Sequence, residues 1–283
     1  MVKEAVVNEQ VLLAGCGDLG LRVAQRLRAR GDDVWALRRE PSMSDDSGIR
    51  WLRGDLTRPE TLRELPVCIT RVVYLPTPDR RDEAAYRSTF VDGLRHLLGA
   101  LDQAHLQRVL LISSSAVYGE HAGDWVDEGT PPAPSGFNGS VLLEAEQWLA
   151  TQQTPSVVLR LAGLYGPGRL HLIERLRAGQ LKVPRAQPHW ANRIHVDDAA
   201  AAIVHLLPLA DPLSLYLGVD DTPLRIDVLY DHLSGLIGVS PAATGPAPGG
   251  IGSKRLSNAR LRASGFVPQW PDSREGYAAL LDT

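Results

Sequence analysis

The 283-residue sequence predicts an α/β fold, a Rossmann-type doubly wound parallel sheet with a smaller C-terminal substrate-binding region. Two observations support this prediction. Short apolar segments alternate with amphipathic helical segments as far as residue 161. A glycine-rich turn also stands between the first apolar segment and the first helical one. The length suits one large α/β unit or two closely associated domains.

The first segment predicts a strand, a turn, a helix and a second strand. Residues 11–14 are apolar and are followed directly by Gly15. Within residues 19–30, leucine and valine recur every four positions between arginines, which is typical of an amphipathic helix. Gly31 is expected to end this helix, and residues 33–37 are expected to form the next strand. The segment is therefore a βαβ unit.

The same alternation predicts the later elements. Further strands are expected at residues 49–53, 71–75, 109–112 and 156–161, and helices at residues 59–65, 86–104 and 141–151. After residue 165 the elements become shorter, and a loop rich in proline and glycine follows at residues 240–252. We therefore predict a dinucleotide-binding domain over residues 1–165. A smaller substrate-binding region over residues 166–283 is expected to pack closely on it and to share elements with it.

The composition argues against several classes of function. A net charge of -3 and a pI near 6.2 provide no basic excess, so neither nucleic acid nor a membrane surface is an expected partner. Cys16 and Cys68 are too few for a disulfide framework or a zinc cluster, which favours a reducing compartment. The first 15 residues lack the apolar run of a signal peptide, and residues 199–210 are too short to span a bilayer. We expect a cytoplasmic monomer or homodimer.

The glycine-rich turn predicts a dinucleotide site. It reads Gly-Cys-Gly-Asp-Leu-Gly from residue 15 and fits the pattern G-x-G-x-x-G between a strand and a helix. Its glycines permit a tight turn, a close approach of the pyrophosphate and close helix-strand packing, and the helix N-terminus favours phosphate. The alternative is a merely structural turn. The predicted cofactor-binding residues of this turn are Gly15, Gly17, Asp18, Leu19 and Gly20.

The end of the second predicted strand carries Arg38 and Arg39. An acidic residue at this position accepts the ribose 2′-hydroxyl of NAD, whereas arginine accommodates the 2′-phosphate of NADP. A guanidinium group forks onto phosphate oxygens, and the first carboxylate in the segment is Glu40. The sequence therefore predicts NADP(H) in preference to NAD(H). The alternative is that both arginines are solvated charges in a chain that has only three lysines.

Five further motifs follow the predicted strands in order. They are Gly-Asp-Leu-Thr from residue 54, Leu-Pro-Thr from residue 75, Ile-Ser-Ser-Ser-Ala-Val-Tyr-Gly from residue 112, Arg-Leu-Ala-Gly-Leu-Tyr-Gly-Pro-Gly-Arg from residue 160 and Arg-Ile-His-Val-Asp-Asp from residue 193. With the glycine turn, they resemble the extended short-chain dehydrogenase/reductase superfamily, the NAD-dependent epimerase/dehydratase family. The resemblance implies a cofactor-dependent enzyme that acts on a nucleotide-sugar-like or other small carbonyl or hydroxyl substrate.

The resemblance also implies roles for individual residues. Asp55 would reach the adenine edge, with Leu56 beside it, and Leu75 and Pro76 would lie against the cofactor. Ser114, three residues before Val-Tyr-Gly, would contact the reacting group. All five are expectations that rest on the resemblance.

The family's catalytic pair has no counterpart in this sequence. In the family, a Tyr-x-x-x-Lys pair after the fifth strand transfers the proton, and by spacing its positions are Phe137 and Val141. No lysine occurs between Lys3 and Lys182. Bringing a tyrosine pKa from about 10 to neutrality requires about 4 kcal/mol, which a neighbouring cation ordinarily supplies and valine does not. The chain therefore resembles an atypical branch that lacks the pair.

Other residues are candidates for the chemistry. Tyr118 could donate a proton, although its counterpart in the family belongs to a packing motif, and Ser114 could hydrogen-bond a substrate. His195 suits acid/base work, with a packed side chain as the alternative. Arg169 and Arg193 could contact a phosphate-bearing small-molecule substrate, with surface charge as the alternative. No spacing typical of a metal site occurs, so no metal is expected.

Two functions remain open. The first is an NADP(H)-dependent oxidoreductase or isomerase with nonstandard acid/base residues, which the family-like segments of the C-terminal half favour. The second is a non-catalytic NADP(H)-binding sensor or regulatory interaction module, which the missing catalytic pair favours.

Overall fold

A seven-stranded sheet forms the centre of the fold. The computed structural model describes residues 9–41, 48–247, 249–250 and 252–281. The strands of the sheet are β1 (Gln10–Ala14), β2 (Asp33–Arg38), β3 (Arg50–Arg53), β4 (Arg71–Tyr74), β5 (Arg108–Ser114), β6 (Ser156–Leu161) and β7 (Leu215–Gly218). Their order across the sheet is β7-β6-β5-β4-β1-β2-β3, and the pairings from β5 to β3 are parallel. The predicted α/β Rossmann-type fold is confirmed.

Helices connect the strands. The α-helices of the described residues are α1 (Asp18–Arg30), α2 (Glu83–Tyr86), α3 (Gly93–Ala100), α4 (Phe137–Ala150), α5 (His171–Arg177), α6 (Val196–Leu206), α7 (Ile226–Leu236), α8 (Ala259–Ala263) and α9 (Ser273–Leu281). Two 3-10 turns occur at Pro59–Leu62 and Ser115–Val117, and a π-helical segment, Arg87–Asp92, lies between α2 and α3. No helix among the described residues is long and apolar enough to cross a membrane.

Further short strands form separate two-stranded pairs. The pairs are Trp125–Val126 with Arg255–Leu256, Gly163–Tyr165 with Arg193–His195, Lys182–Val183 with Ala243–Thr244, and Trp190–Ala191 with Leu224–Arg225. The strand Ala243–Thr244 interrupts the segment that the sequence predicts as a loop.

Three predicted helices differ from the observed ones. The helix expected over residues 59–65 is a single 3-10 turn, and the one expected over residues 86–104 contains a π-helical segment and ends at Ala100. The third helix begins at Phe137 instead of residue 141. Its first turn contains Gly139, where a side chain would meet the Ala116 carbonyl oxygen and lie 2.8 Å from Pro134 Cβ. Tertiary packing therefore selects a residue that is a poor helix former.

The first βαβ unit forms as predicted. Residues 11–14 are completely buried, which fits a central strand covered on both faces. The helix α1 ends at Gly31, which has the left-handed φ of 101° and donates its amide to the Arg28 carbonyl. The turn and both strands around the glycine pattern are therefore anchored in the core.

The chain contains two compact units. One is formed by residues 1–112, 144–158 and 203–214, and the other by residues 113–143, 159–202 and 215–283. We call them unit 1 and unit 2. Both are assembled from stretches that are separate in the chain, whereas the sequence-based prediction divides the chain once, after residue 165. That single division remains a prediction.

Candidate cofactor site

The glycine turn of unit 1 is held against the end of β2. The amides of Gly15 and Cys16 both donate to the Leu37 carbonyl, at 3.1 and 3.2 Å. Gly15 has a φ of +92°, and a side chain there would meet the backbone of Pro76, whose nitrogen lies 2.7 Å from the Cβ position. Only glycine fits such a conformation and such a close approach.

The other two glycines have different surroundings. A Cβ atom at Gly17 would meet nothing within 4 Å, whereas one at Gly20 would lie 3.2 Å from the Cys16 sulfur. Gly17 is also the N-cap of α1 and offers no side-chain acceptor to the first amides of the helix. Open space next to uncapped helix amides is what a pyrophosphate requires. The turn therefore fits the phosphates of a dinucleotide.

A cavity of about 500 Å³ opens next to this turn. It lies where β1 to β4 end, which is the edge at which ligands bind in parallel α/β sheets. Its lining comprises Gly15, Cys16, Gly17, Leu37, Arg38, Arg39, Glu40, Gly54, Asp55, Leu56, Thr57, Pro76, Thr77, Asp79 and Thr89.

Most of the predicted cofactor residues belong to this lining. The exceptions are Asp18, Leu19 and Gly20, which form the first turn of α1, and Leu75, whose side chain packs 3.5 Å from the Cβ position of Gly20. For the three helical residues, the group that can meet a phosphate is the backbone amide.

The two arginines at the end of β2 differ in their hydrogen-bond partners. Arg39 makes two hydrogen bonds to the Asp79 carboxylate, one of them at 2.6 Å between Nη2 and Oδ1, and these bonds raise the pKa of Arg39. Arg38 is exposed, and its guanidinium has no hydrogen bond or ion pair with the described residues. Arg38 is therefore the arginine that is available to a ligand.

Asp55 is positioned by a local turn. Its Oδ1 accepts hydrogen bonds from the amide and the hydroxyl of Thr57, at 2.9 and 2.7 Å, and its own amide donates to the Thr61 hydroxyl. These contacts keep the carboxylate at the cavity, where the resemblance expects a contact to adenine.

Thr77, Asp79 and Thr89 also line the cavity, and none of them is among the predicted cofactor residues. Thr77 and Asp79 follow β4, the strand beside β1, so the expected strand order could have indicated them. Thr89 belongs to the π-helical segment, for which the sequence offers no comparable signal.

The cysteine inside the glycine turn is a packing residue. Cys16 is 1% exposed, and burial raises the pKa of its thiol to about 11, although the positive charge of Arg38 opposes this shift. The thiol is therefore protonated near neutral pH and is a poor nucleophile.

Ser114 and Tyr118 lie in unit 2. Ser114 ends β5, is partly exposed, and its Oγ accepts a hydrogen bond from the Ala116 amide at 3.2 Å. Tyr118 is completely buried and donates its hydroxyl to the Asp127 carbonyl at 3.0 Å, while the guanidinium of Arg160 lies 4.7 Å from its ring centre. This geometry favours a packing role for Tyr118 over proton transfer.

Replacing Tyr118 with phenylalanine tests that role. Loss of the hydroxyl removes the hydrogen bond from this buried side chain to the Asp127 carbonyl, so the free energy of unfolding should fall by about 1 kcal/mol in urea titrations. Cofactor affinity should not change. A variant of unchanged stability would contradict the packing role.

The helix that carries the family's catalytic pair has a different composition here. Its sequence in α4, FNGSVLLEAEQWLA, contains neither tyrosine nor lysine. Phe137 is partly buried, and Val141 is 1% exposed. Neither side chain can ionise.

His195 and Arg193 also lie in unit 2. His195 is 3% exposed, its Nδ1 accepts a hydrogen bond from the Asp197 amide at 3.2 Å, and its ring lies against Tyr165 and Trp270. Arg193 belongs to the same short strand, and its positive charge opposes the rise in pKa that burial causes at Tyr230 and Tyr277.

Arg169 is partly exposed and follows a tight turn. Its backbone amide donates to the Gly166 carbonyl at 3.0 Å, which closes the Gly-Pro-Gly segment. Of the three predicted substrate contacts, Arg169 lies outside the buried aromatic cluster that His195 forms with Tyr165 and Trp270. Within the part of the chain that the structure describes, no group of three or more His, Cys, Asp and Glu side chains could hold a metal ion.

Comparison with known proteins agrees with this architecture. The sequence model of the NAD-dependent epimerase/dehydratase family matches residues 11–214. Protein YeeZ of Escherichia coli K12 is 28% identical over 278 residues, covering 93% of this chain and 97% of YeeZ. The 3-diazoavenalumate denitrifying reductase of a Streptomyces species is 27% identical over 301 residues, covering 94% of this chain and 98% of the reductase.

Two solved structures are similar over nearly the whole chain. One, from Methylobacillus flagellatus and provisionally described as an NAD-dependent epimerase/dehydratase, is 40% identical with a TM-score of 0.83, covering 97% of this chain and 98% of its own. The other is MoeE5 in complex with UDP-glucose and NAD, which is 25% identical with a TM-score of 0.79, covering 96% of this chain and 97% of its own. On this evidence the chain belongs to the NAD-dependent epimerase/dehydratase family.

Proposed function

We propose that the protein is an NADP(H)-dependent oxidoreductase or isomerase that acts on a nucleotide-sugar-like or other small carbonyl or hydroxyl substrate. The observation that carries the cofactor preference is Arg38. It ends β2, lines the cavity and has no partner among the described side chains. At this position an arginine accommodates a ribose 2′-phosphate.

The relatives support the reaction class. One is a reductase by name, and MoeE5 was solved with a nucleotide sugar and NAD. The bound NAD of MoeE5 shows that the fold also accommodates a cofactor without the 2′-phosphate. We therefore base the NADP preference on Arg38 of this chain and not on its relatives.

The acid/base chemistry needs groups other than the family pair. Ser114 is the candidate hydroxyl that retains partial exposure, and we propose that it hydrogen-bonds the oxygen at the reacting carbon, with water as the proton source. Arg169 is the matching candidate for an anionic group of the substrate.

Cofactor affinity tests the central part of the proposal. NADPH should bind the wild-type protein at least tenfold more tightly than NADH by calorimetry, and it should raise the melting temperature further at equal concentration. Arg38→Gln should weaken NADPH binding about tenfold and leave NADH binding unchanged, because only the phosphate contact is lost.

Arg50→Gln is the matched control. It removes the same charge at the start of β3, about 10 Å from Arg53 at the end of that strand. This variant should keep the wild-type preference for NADPH. Equal affinities of the wild-type protein for NADPH and NADH would refute the preference.

A non-catalytic NADP(H)-binding sensor is the second candidate function. The composition of α4 and the buried hydroxyl of Tyr118 favour it. A panel of sugar nucleotides and small carbonyl compounds would separate the two functions. Consumption of NADPH that is lost in Ser114→Ala supports the enzyme, whereas tight NADPH binding without turnover on any compound supports the sensor.

A further inference from the structure

A second arginine stands beside Arg38 on the neighbouring strand. In the parallel pairing of β2 and β3, Arg38 is the register partner of Arg53, the last residue of β3. Strands in a sheet lie about 4.8 Å apart, and paired positions of parallel strands present their side chains to the same face. The two guanidinium groups therefore leave the same edge of the sheet side by side.

Both arginines are exposed, and Arg53, like Arg38, has no hydrogen bond or ion pair with a described side chain. Each stands next to a cavity. Arg38 lines the cavity of about 500 Å³, and Arg53 lines an adjoining one of about 1000 Å³. The two cavities share Arg39, Glu40 and the segment 54–55, so they adjoin each other.

Two paired cations on neighbouring strands repel each other, and such a pair destabilises a sheet unless an anion lies between them. Two of the three carboxylates that line the cavity of about 500 Å³ are engaged by other residues, and the third is the exposed Glu40. Asp79 is bound by Arg39, and the Asp55 carboxylate accepts from Thr57. A dianionic group would relieve the repulsion, and a phosphate monoester carries about two negative charges at neutral pH.

We propose that Arg53 is a second specificity-determining residue, which binds the ribose 2′-phosphate of NADP(H) together with Arg38. Each guanidinium presents its fork of N–H donors to the phosphate oxygens, which is the geometry that arginine suits better than lysine. This inference rests on the proposed NADP(H) preference and adds to it a residue from a different strand, 15 positions further along the chain.

The test measures affinities of the full chain by calorimetry for NADPH, NADH, 2′,5′-ADP and 5′-ADP. Arg53→Gln should weaken NADPH and 2′,5′-ADP about tenfold and change NADH and 5′-ADP by less than twofold. Arg53→Lys should recover only part of the loss, because a lysine keeps the charge without the fork. Arg50→Gln, on the same strand, should match the wild type for all four ligands.

The outcomes distinguish this inference from the proposed function. If the wild type prefers NADPH, Arg38→Gln removes the preference and Arg53→Gln leaves it within twofold of wild type, the role of Arg53 is refuted while the proposed function stands. If the wild type binds NADPH and NADH equally, both fail. Melting temperatures without ligand verify that each variant is folded, and equal losses for NADPH and NADH in Arg53→Gln would also overturn the phosphate contact.

Discussion

Gly17→Ala is expected to abolish dinucleotide binding without unfolding the protein. A methyl group at this position meets no protein atom within 4 Å, and the backbone φ of -86° is accessible to alanine. The space that the methyl group fills is the space in front of the uncapped amides of α1, where the pyrophosphate must approach. We expect affinities for both NADPH and NADH to fall by about 100-fold, or roughly 3 kcal/mol.

Gly15→Ala is the matched comparison, and its effect should be on the fold. Its φ of +92° is unfavourable for any L-residue, and the methyl group would overlap the backbone of Pro76. The free energy of unfolding in urea should therefore fall by about 2 kcal/mol or more, whereas that of Gly17→Ala should change by less than 1 kcal/mol. A Gly17→Ala variant that binds NADPH like the wild type would refute the placement of the pyrophosphate.

Asp220→Asn is expected to stabilise the protein at alkaline pH. Asp220 is 3% exposed, and neither carboxylate oxygen has a hydrogen bond of good geometry within the described residues. Burial raises the pKa of this carboxyl group to about 8; the Ser273 side chain and the Thr222 amide oppose the shift, and Asp272 adds to it. The acid is therefore mostly protonated at pH 7.

The sign of the pH dependence follows from the raised pKa. The folded state holds this proton more tightly than the unfolded state, so the stability contributed by Asp220 is complete below about pH 4 and falls until about pH 8. One pKa unit corresponds to about 1.4 kcal/mol. The environment of the ionised group relaxes, which lowers the cost of its burial. We therefore expect the free energy of unfolding of Asp220→Asn to exceed that of the wild type by about 3 kcal/mol at pH 8.5.

Urea titrations from pH 5 to pH 8.5 measure this difference. The stability of Asp220→Asn should decline less with pH than that of the wild type, and the two curves should converge toward pH 5. Asp211→Asn, at an exposed position, should follow the wild-type curve throughout. Parallel curves for Asp220→Asn and the wild type would show that Asp220 is ionised at low cost.

Local patterns account for much of the fold and of the cofactor site. The βαβ unit, the end of α1 at Gly31 and the positive φ of Gly15 follow from the spacing of apolar residues and glycines within about 30 positions. Arg38 could be predicted as a cavity residue because the end of β2 meets the glycine turn in every sheet of this topology.

Other predictions failed where contacts are distant in sequence. The start of α4 depends on the close packing of Gly139 against Ala116. The spacing of apolar residues along the helix does not predict this contact. For Tyr118 the sequence offered both proton donation and packing, and the structure favours packing, because its hydroxyl donates to the Asp127 carbonyl and its ring is buried.

The sequence by itself determined the fold class, the family and the glycine turn, because these depend on residue type and on short-range spacing. Only the tertiary structure decided which charged groups lack a hydrogen bond or ion pair among the described residues. The register of β2 and β3 places Arg53 beside Arg38, and the approach of the segment after β4 engages Arg39 with Asp79. The fold likewise removes Asp220 from water. Ion pairing, hydrogen bonding and solvation depend on neighbours in space. The order of residues along the chain does not specify these neighbours.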